Sequence, residues 1–133
     1  MTTNQRILLR STPSGLPTPD DFQSDEVSLA PLSDNQVRCQ TETISLDPYI
    51  RSVLAGNHMG HGIVPGELVP GETVSIITES DHPEWPVGTR VRAPGGWQTY
   101  SSHDPSELAR LPECLTQSSL VLSTLGMPGL TAF

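Results

Sequence analysis

Thirteen prolines and eleven glycines are spread along the whole chain, and no other feature constrains the fold as strongly. Proline fixes φ and removes a backbone donor, and glycine opens conformations closed to other residues, so their recurrence favours many turns over long helices. Between the turns lie short segments with strand character. Asn4–Arg10 carries the run Ile7, Leu8, Leu9 and precedes the turn-rich stretch S-T-P-S-G-L-P-T-P-D-D. Phe22–Leu29 places Val27 and Leu29 in alternation. Gln36–Thr43 is the clearest strand: Val37, Cys39, Thr41 and Thr43 share one face, and Gln36, Arg38, Gln40 and Glu42 the other. Thr73–Thr78, Gly88–Ala93 and Trp97–Ser102 follow, the last two joined by Pro94-Gly95-Gly96. About six short strands separated by turn signals predict a small barrel or sandwich and exclude a parallel doubly wound sheet.

The length of 133 residues suits one domain. All seven basic residues are arginine, and the net charge is −8. Nucleic acid and anionic membrane surfaces both need clustered cations, so neither is expected as a partner. No run approaches transmembrane length and no apolar leader opens the chain, which predicts a cytoplasmic protein. Cys39 and Cys114 lie far apart and are expected as free thiols, Cys39 as a small core residue.

One helix is predicted from Asp47-Pro48, with Asp47 as side-chain cap, Pro48 at the first position and Gly56 as the stop. Ile50, Val53 and Leu54 form its apolar face; Tyr49 and Arg51 fall at opposite edges of that face. This places a phenol and a guanidinium at the rim of a candidate binding site. A second helix is predicted after Thr116, carrying Leu120, Val121 and Leu125 and stopped by Gly126. Leu130 and Phe133 then begin another apolar pattern with no cap or polar tail, so the chain reads as a fragment of a longer one. The predicted division is 1–115 for the main domain and 116–133 for a helical connection.

Most motifs with chemical potential dissolve on inspection. Gly60-His61-Gly62 lacks the third glycine and the flanking strand and helix of a dinucleotide fingerprint. A chain without lysine has no Walker-type phosphate loop. His58 and His61, with Glu67 nearby, could in principle begin a metal site, but they read far more simply as solvated loop histidines. Ser102-His103-Asp104 holds the three residue types of a hydrolytic triad, yet sequence neighbours do not meet its geometry. The Gly95-Gly96 pair allows close backbone approach, either to another strand or to a substrate.

Several segments taken together resemble one family. S-L-D-P-Y-I-R, residues 45–51, is similar to the S-x-D-P-Y-M-R signature of zinc-independent medium-chain dehydrogenases/reductases, in the subgroup of prostaglandin/leukotriene reductases and alkenal double-bond reductases. T-V-S-I-I-T-E-S-D-H-P-E-W-P-V-G-T-R-V, Gly96-Trp97-Gln98-x-Tyr100 and Gly126-Met127-Pro128-Gly129-Leu130-Thr131-Ala132 resemble further family segments in the same order. The resemblance implies a GroES-like, partly open β-barrel, mainly β with short helices, and a Rossmann domain that this chain lacks. The catalytic-zinc ligand positions and the four-cysteine zinc lobe of zinc-dependent relatives have no counterpart here, so no metal is implied.

The implied activity is NADPH-dependent reduction of the C=C bond of α,β-unsaturated ketones or aldehydes. Hydride attack leaves negative charge on the carbonyl oxygen, and a tyrosine, protonated at neutral pH, suits that charge. Tyr49 is assigned by the resemblance to the substrate pocket. Pro48, Met127, Gly129 and Thr131 are assigned near the cofactor, and Trp97 to packing at the pocket base. Arg51 is expected to pair with an acid such as Asp47. The fragment alone is expected to be inactive and not to bind NADPH. No catalytic residue is assigned, and a homodimer stays open. A non-enzymatic GroES-like barrel serving binding or assembly is the alternative.

Overall fold

In the computed structural model the chain is described over residues 2–56, 62–112 and 117–122. Among the described residues seven strands dominate: β1 (Thr3–Leu9), β2 (Phe22–Ser28), β3 (Val37–Ile44), β4 (Thr73–Ser80), β5 (Arg90–Ala93), β6 (Tyr100–His103) and β7 (Ala109–Arg110). One short α-helix, α1, spans Tyr49–Leu54, and three 3-10 turns occupy Pro19–Asp21, Pro105–Glu107 and Ser118–Leu122. The mainly β expectation holds.

The strands form two sheets. β1 and β2 pair antiparallel in unbroken register from Thr3 opposite Ser28 to Leu9 opposite Phe22. The larger sheet has the antiparallel order β6-β3-β4-β5-β7. β1 ties them together because its other edge pairs with two separate segments. Ile7 N donates to Trp97 O and Thr99 N to Gln5 O, both at 2.9 Å, while Val69 N donates to Ile7 O at 3.1 Å and Leu9 N to Glu67 O at 2.9 Å. The described residues therefore wrap partway round without closing a ring.

Two cores fill the wrap. Val37, Cys39, Ile77, Val91 and Ala93 pack within the larger sheet, covered by Trp85 and Leu108. Leu9, Ile50, Leu54 and Val69 form the second, with Phe22, Tyr49, Ile63 and Trp97 against it. Cys39 is a free, fully buried thiol, and burial pushes its pKa up to about 11.

Three local expectations need correction. The alternation of β3 is incomplete: Val37 and Cys39 are buried as expected, but so is Arg38 between them. Its guanidinium bonds Ala30 O and lies 3.2 Å from Glu79 Oε2, and register irregularities at Arg38/Cys39 and Thr41/Thr43 interrupt the simple period of two. Secondly, Asp47 does not cap α1 with its side chain. Pro48 takes the cap position with helical dihedrals and no capping side-chain bond, and Asp47 contributes only its carbonyl, which accepts from Ile50 N at 3.1 Å. Thirdly, Ser118–Leu122 is a 3-10 turn against β4 that buries Leu122, while Thr116, Leu125 and Gly126 lie outside the described residues.

Candidate functional site

The loop from Ser45 to Pro48 carries the chain from the end of β3 into α1, and the antiparallel register of β3 and β4 decides what faces it. Ile44 sits opposite Thr73, and the ladder continues one step as Ser45 N donates to Glu72 O at 2.8 Å. Glu72 is thereby held beside the loop that leads to Tyr49. On β5, Arg92 pairs with Val74, two residues beyond Glu72, so the two charged side chains meet diagonally across one face. Arg92 Nε lies 3.8 Å from Glu72 Oε2, with both side chains about half exposed.

These residues line a cavity of about 220 Å³ with Asp47, Tyr49, Val121 and Leu122. Tyr49, the first residue of α1, is half-buried, and Asp47 is only 8% exposed. The Tyr49 phenol is pushed above its ordinary pKa of 10.0, first by burial and then by the negative charges of Asp47 and Glu72. All three causes disfavour the phenolate, so the hydroxyl keeps its proton throughout the neutral range. The arrangement offers a neutral donor on an otherwise polar and acidic wall, with Val121 and Leu122 supplying an apolar side.

Of the residues the sequence assigns to a site, Tyr49 lines this cavity and Pro48 directly precedes it. Met127, Gly129 and Thr131 lie outside the described residues, as do His58, His61 and Cys114. Arg51 is exposed, and the expected pair with Asp47 is not among the ion pairs of the described residues. Trp97 does pack, stacked on Phe22 at 5.8 Å and 25°, but it lines a different concavity from Tyr49. That concavity is a larger, open groove of about 690 Å³ with the Arg6–Asp25 ion pair and Ile7, Ile44 and Gln98 in its walls. Size alone would favour the groove, which also carries Arg6, Asp25, Glu26 and Glu42; the shifted phenol of Tyr49 favours the smaller cavity. The Gly95-Gly96 pair approaches protein rather than an opening: a Cβ on Gly95 would fall 2.8 Å from Thr73 Oγ1, and one on Gly96 2.8 Å from Leu68 Cδ2.

Ser45, Glu72, Arg92, Val121 and Leu122 escaped sequence reasoning as site residues. Only the cross-strand register brings Glu72 and Arg92 to Tyr49, and a single sequence carries no local signal for it. A second arrangement was also out of reach. His103 Nε2 lies 2.8 Å from Ser101 Oγ, and its Nδ1 lies 3.5 Å from Glu107 Oε2. The serine is thus Ser101, not Ser102, and the acid is Glu107, not Asp104. Ser101 is 7% and His103 5% exposed, so this relay lies mostly in the sheet interior, although Ser101 also borders a hollow of about 360 Å³ with Asn4, Arg38 and Tyr100.

Comparisons with known proteins agree on one relationship. Residues 5–111 match the family described as the N-terminal domain of oxidoreductase. NADPH-dependent curcumin reductase of Escherichia coli (strain K12) is 36% identical over 131 residues, covering 98% of this chain and 38% of that protein. Prostaglandin reductase 1 of Oryctolagus cuniculus is 38% identical over 123 residues, covering 90% of this chain and 33% of that protein. The crystal structure of CurA from Vibrio vulnificus in complex with NADPH superposes with a TM-score of 0.88 at 31% identity, over 96% of this chain and 38% of that one. The chain therefore spans little more than a third of the length of these relatives.

Proposed function

Because the chain belongs to the oxidoreductase N-terminal-domain family, in the zinc-independent medium-chain dehydrogenase/reductase subgroup, we propose that it is the substrate side of an NADPH-dependent reductase. The bond reduced is the C=C bond of α,β-unsaturated ketones or aldehydes. The observation that carries this reading is the Tyr49 phenol, kept protonated on the wall of the cavity at the end of α1. Adding hydride to the β-carbon moves negative charge onto the carbonyl oxygen. A neutral donor within reach of that oxygen stabilises the charge as it develops. Burial, reinforced by the adjoining carboxylates, keeps the phenol from ionising, so Tyr49 positions and polarises the carbonyl without transferring its proton in advance.

NADPH supplies the hydride when bound, but the described residues do not fit its phosphates. The cavity wall carries Asp47 and Glu72, and its one cation, Arg92, already faces Glu72. On this reading the cofactor is held chiefly by a nucleotide-binding domain in the part of the relatives that this chain does not span. Residues 1–115 form the substrate-side unit and 116–133 the connection toward that domain. Pro48, Met127, Gly129 and Thr131 lie near the cofactor in this arrangement, and the setting is cytoplasmic.

The test uses the full-length protein that carries this segment, with NADPH and a simple enone. NADPH consumption together with a saturated ketone as product supports the reading; reduction of the carbonyl to an alcohol, or no turnover across several enones and enals, overturns it. Tyr49→Phe should lower kcat by about a hundredfold to a thousandfold, the range seen when one donor to a developing oxyanion is removed. Unchanged turnover would take Tyr49 out of the site.

A further inference from the structure

The walls of the Tyr49 cavity are unequally charged. Asp47 and Glu72 bring two carboxylates and Arg92 one guanidinium, while Ser45, Tyr49, Val121 and Leu122 are uncharged. Arg92 stands 3.8 Å from Glu72, and the two half-exposed side chains sit where the cavity meets solvent. Asp47, almost fully buried, forms no ion pair among the described residues. Among the described residues the lining therefore carries a net charge of about −1, and its only cation is already matched.

We infer that this wall makes the site selective for uncharged enones and enals and against those bearing a carboxylate close to the reacting double bond. The inference rests on the enone-reductase reading. An anionic substrate would shed hydration on entering and then meet the unmatched charge of Asp47 and the carboxylate of Glu72. A neutral carbonyl meets neither penalty. The charge that develops on its oxygen during reduction is received by the Tyr49 hydroxyl, whereas a second, permanent anion finds no unmatched cation among the described lining residues. Glu72 and Arg92, at the mouth, are specificity-determining residues in this account, and the ratio of their charges sets which substrates pass.

A matched pair of enones tests this on the full-length protein with NADPH: one skeleton with a short carboxylate arm, and its methyl ester. The ester should show kcat/KM about tenfold above the acid, the effect of one unfavourable charge across a partly solvated distance. Glu72→Gln leaves Arg92 unmatched and brings the wall to neutrality, so the ratio should fall several-fold toward unity. Arg92→Gln should move it the other way. Raising the ionic strength should compress the ratio, because the pair at the mouth is open to screening. Equal kcat/KM for acid and ester, preference for the acid, or a ratio unmoved by both substitutions would overturn the inference while leaving the reductase reading intact. If neither compound is reduced and several simple enones and enals are not either, the reductase reading falls and the inference with it; if simple enones are reduced and neither of the pair is, the inference alone falls.

Discussion

Tyr49 and His103 are both drawn partly out of water, and the same cause moves their pKa values in opposite directions. Burial disfavours whichever form is charged, so it raises the phenol and lowers the imidazole. At Tyr49 the neighbouring carboxylates reinforce burial. At His103 they oppose it: Glu107 and Asp104 favour the imidazolium, but burial is the largest effect and the pKa ends below the ordinary 6.5. The neutral tautomer that suits both neighbours donates from Nδ1 to Glu107 and accepts at Nε2 from Ser101. A depressed imidazole pKa means the unfolded chain binds the proton more readily. The stability contributed by neutral His103 is therefore fully present above about pH 6.5 and is lost as the pH falls from there through the folded-state value. Denaturant unfolding of the full-length protein at pH 7.5 and pH 5.5 should show that loss, and His103→Gln should shrink the difference. An unchanged difference would assign the acid sensitivity to other groups.

Among the elements, the turn between β5 and β6 shows what sequence can and cannot convey. Pro94-Gly95-Gly96 is legible as a turn, and the need for close approach is legible in the glycine pair. What approaches is not, because Thr73, Leu68 and Val69 arrive from a distant part of the chain. Gly96 has φ +73°, and an added Cβ would lie 2.8 Å from Leu68 Cδ2 and 3.0 Å from Val69 O. Gly96→Ala should cost about 1–2 kcal/mol for the left-handed backbone and more for the overlap. Gly88, at φ +95° with nothing within 4 Å, isolates the backbone contribution. Gly88→Ala should therefore destabilise less than Gly96→Ala in denaturant unfolding. The same division runs through the rest of the fold. Strand positions and the apolar face of α1 follow from local periodicity, whereas the burial of Arg38, the bulges in β3 and the meeting of Glu72 with Arg92 follow from register. The Asp47 cap is a partial miss: Pro48 does adopt the helical dihedrals that suit a first helical position, but Asp47 meets the helix start with its carbonyl and not with its carboxylate.

At the scale of the whole molecule, β1 is the piece that joins the sheets, and Asn4 is its polar fastening. Its side chain is 7% exposed; Nδ2 donates to Gln98 Oε1 at 2.8 Å, and Oδ1 accepts from Tyr100 N at 2.9 Å. Asn4→Ala would leave both partners without their bond, and should destabilise the protein by about 1–3 kcal/mol in urea unfolding. A loss within experimental error would mean that other contacts hold β1 against residues 97–99. The reach of this one strand also bears on cofactor binding. It organises the substrate side, yet the described residues supply no cationic cradle for phosphates. The 133-residue chain by itself should show no NADPH binding at micromolar concentrations in calorimetry, and micromolar affinity would contradict the proposed division of labour. Finally, Asn4 and Gln98 stand 94 residues apart in sequence. On the ribosome, β1 can find β2 almost at once, but its other edge waits about 3–12 s for residues 67–69, which meet Ile7 and Leu9, and about 5–20 s for residues 97–99. Through that interval the nascent chain carries an open strand edge, so the apolar run Ile7-Leu8-Leu9 is the place where a chaperone, or a neighbouring nascent chain, would bind first.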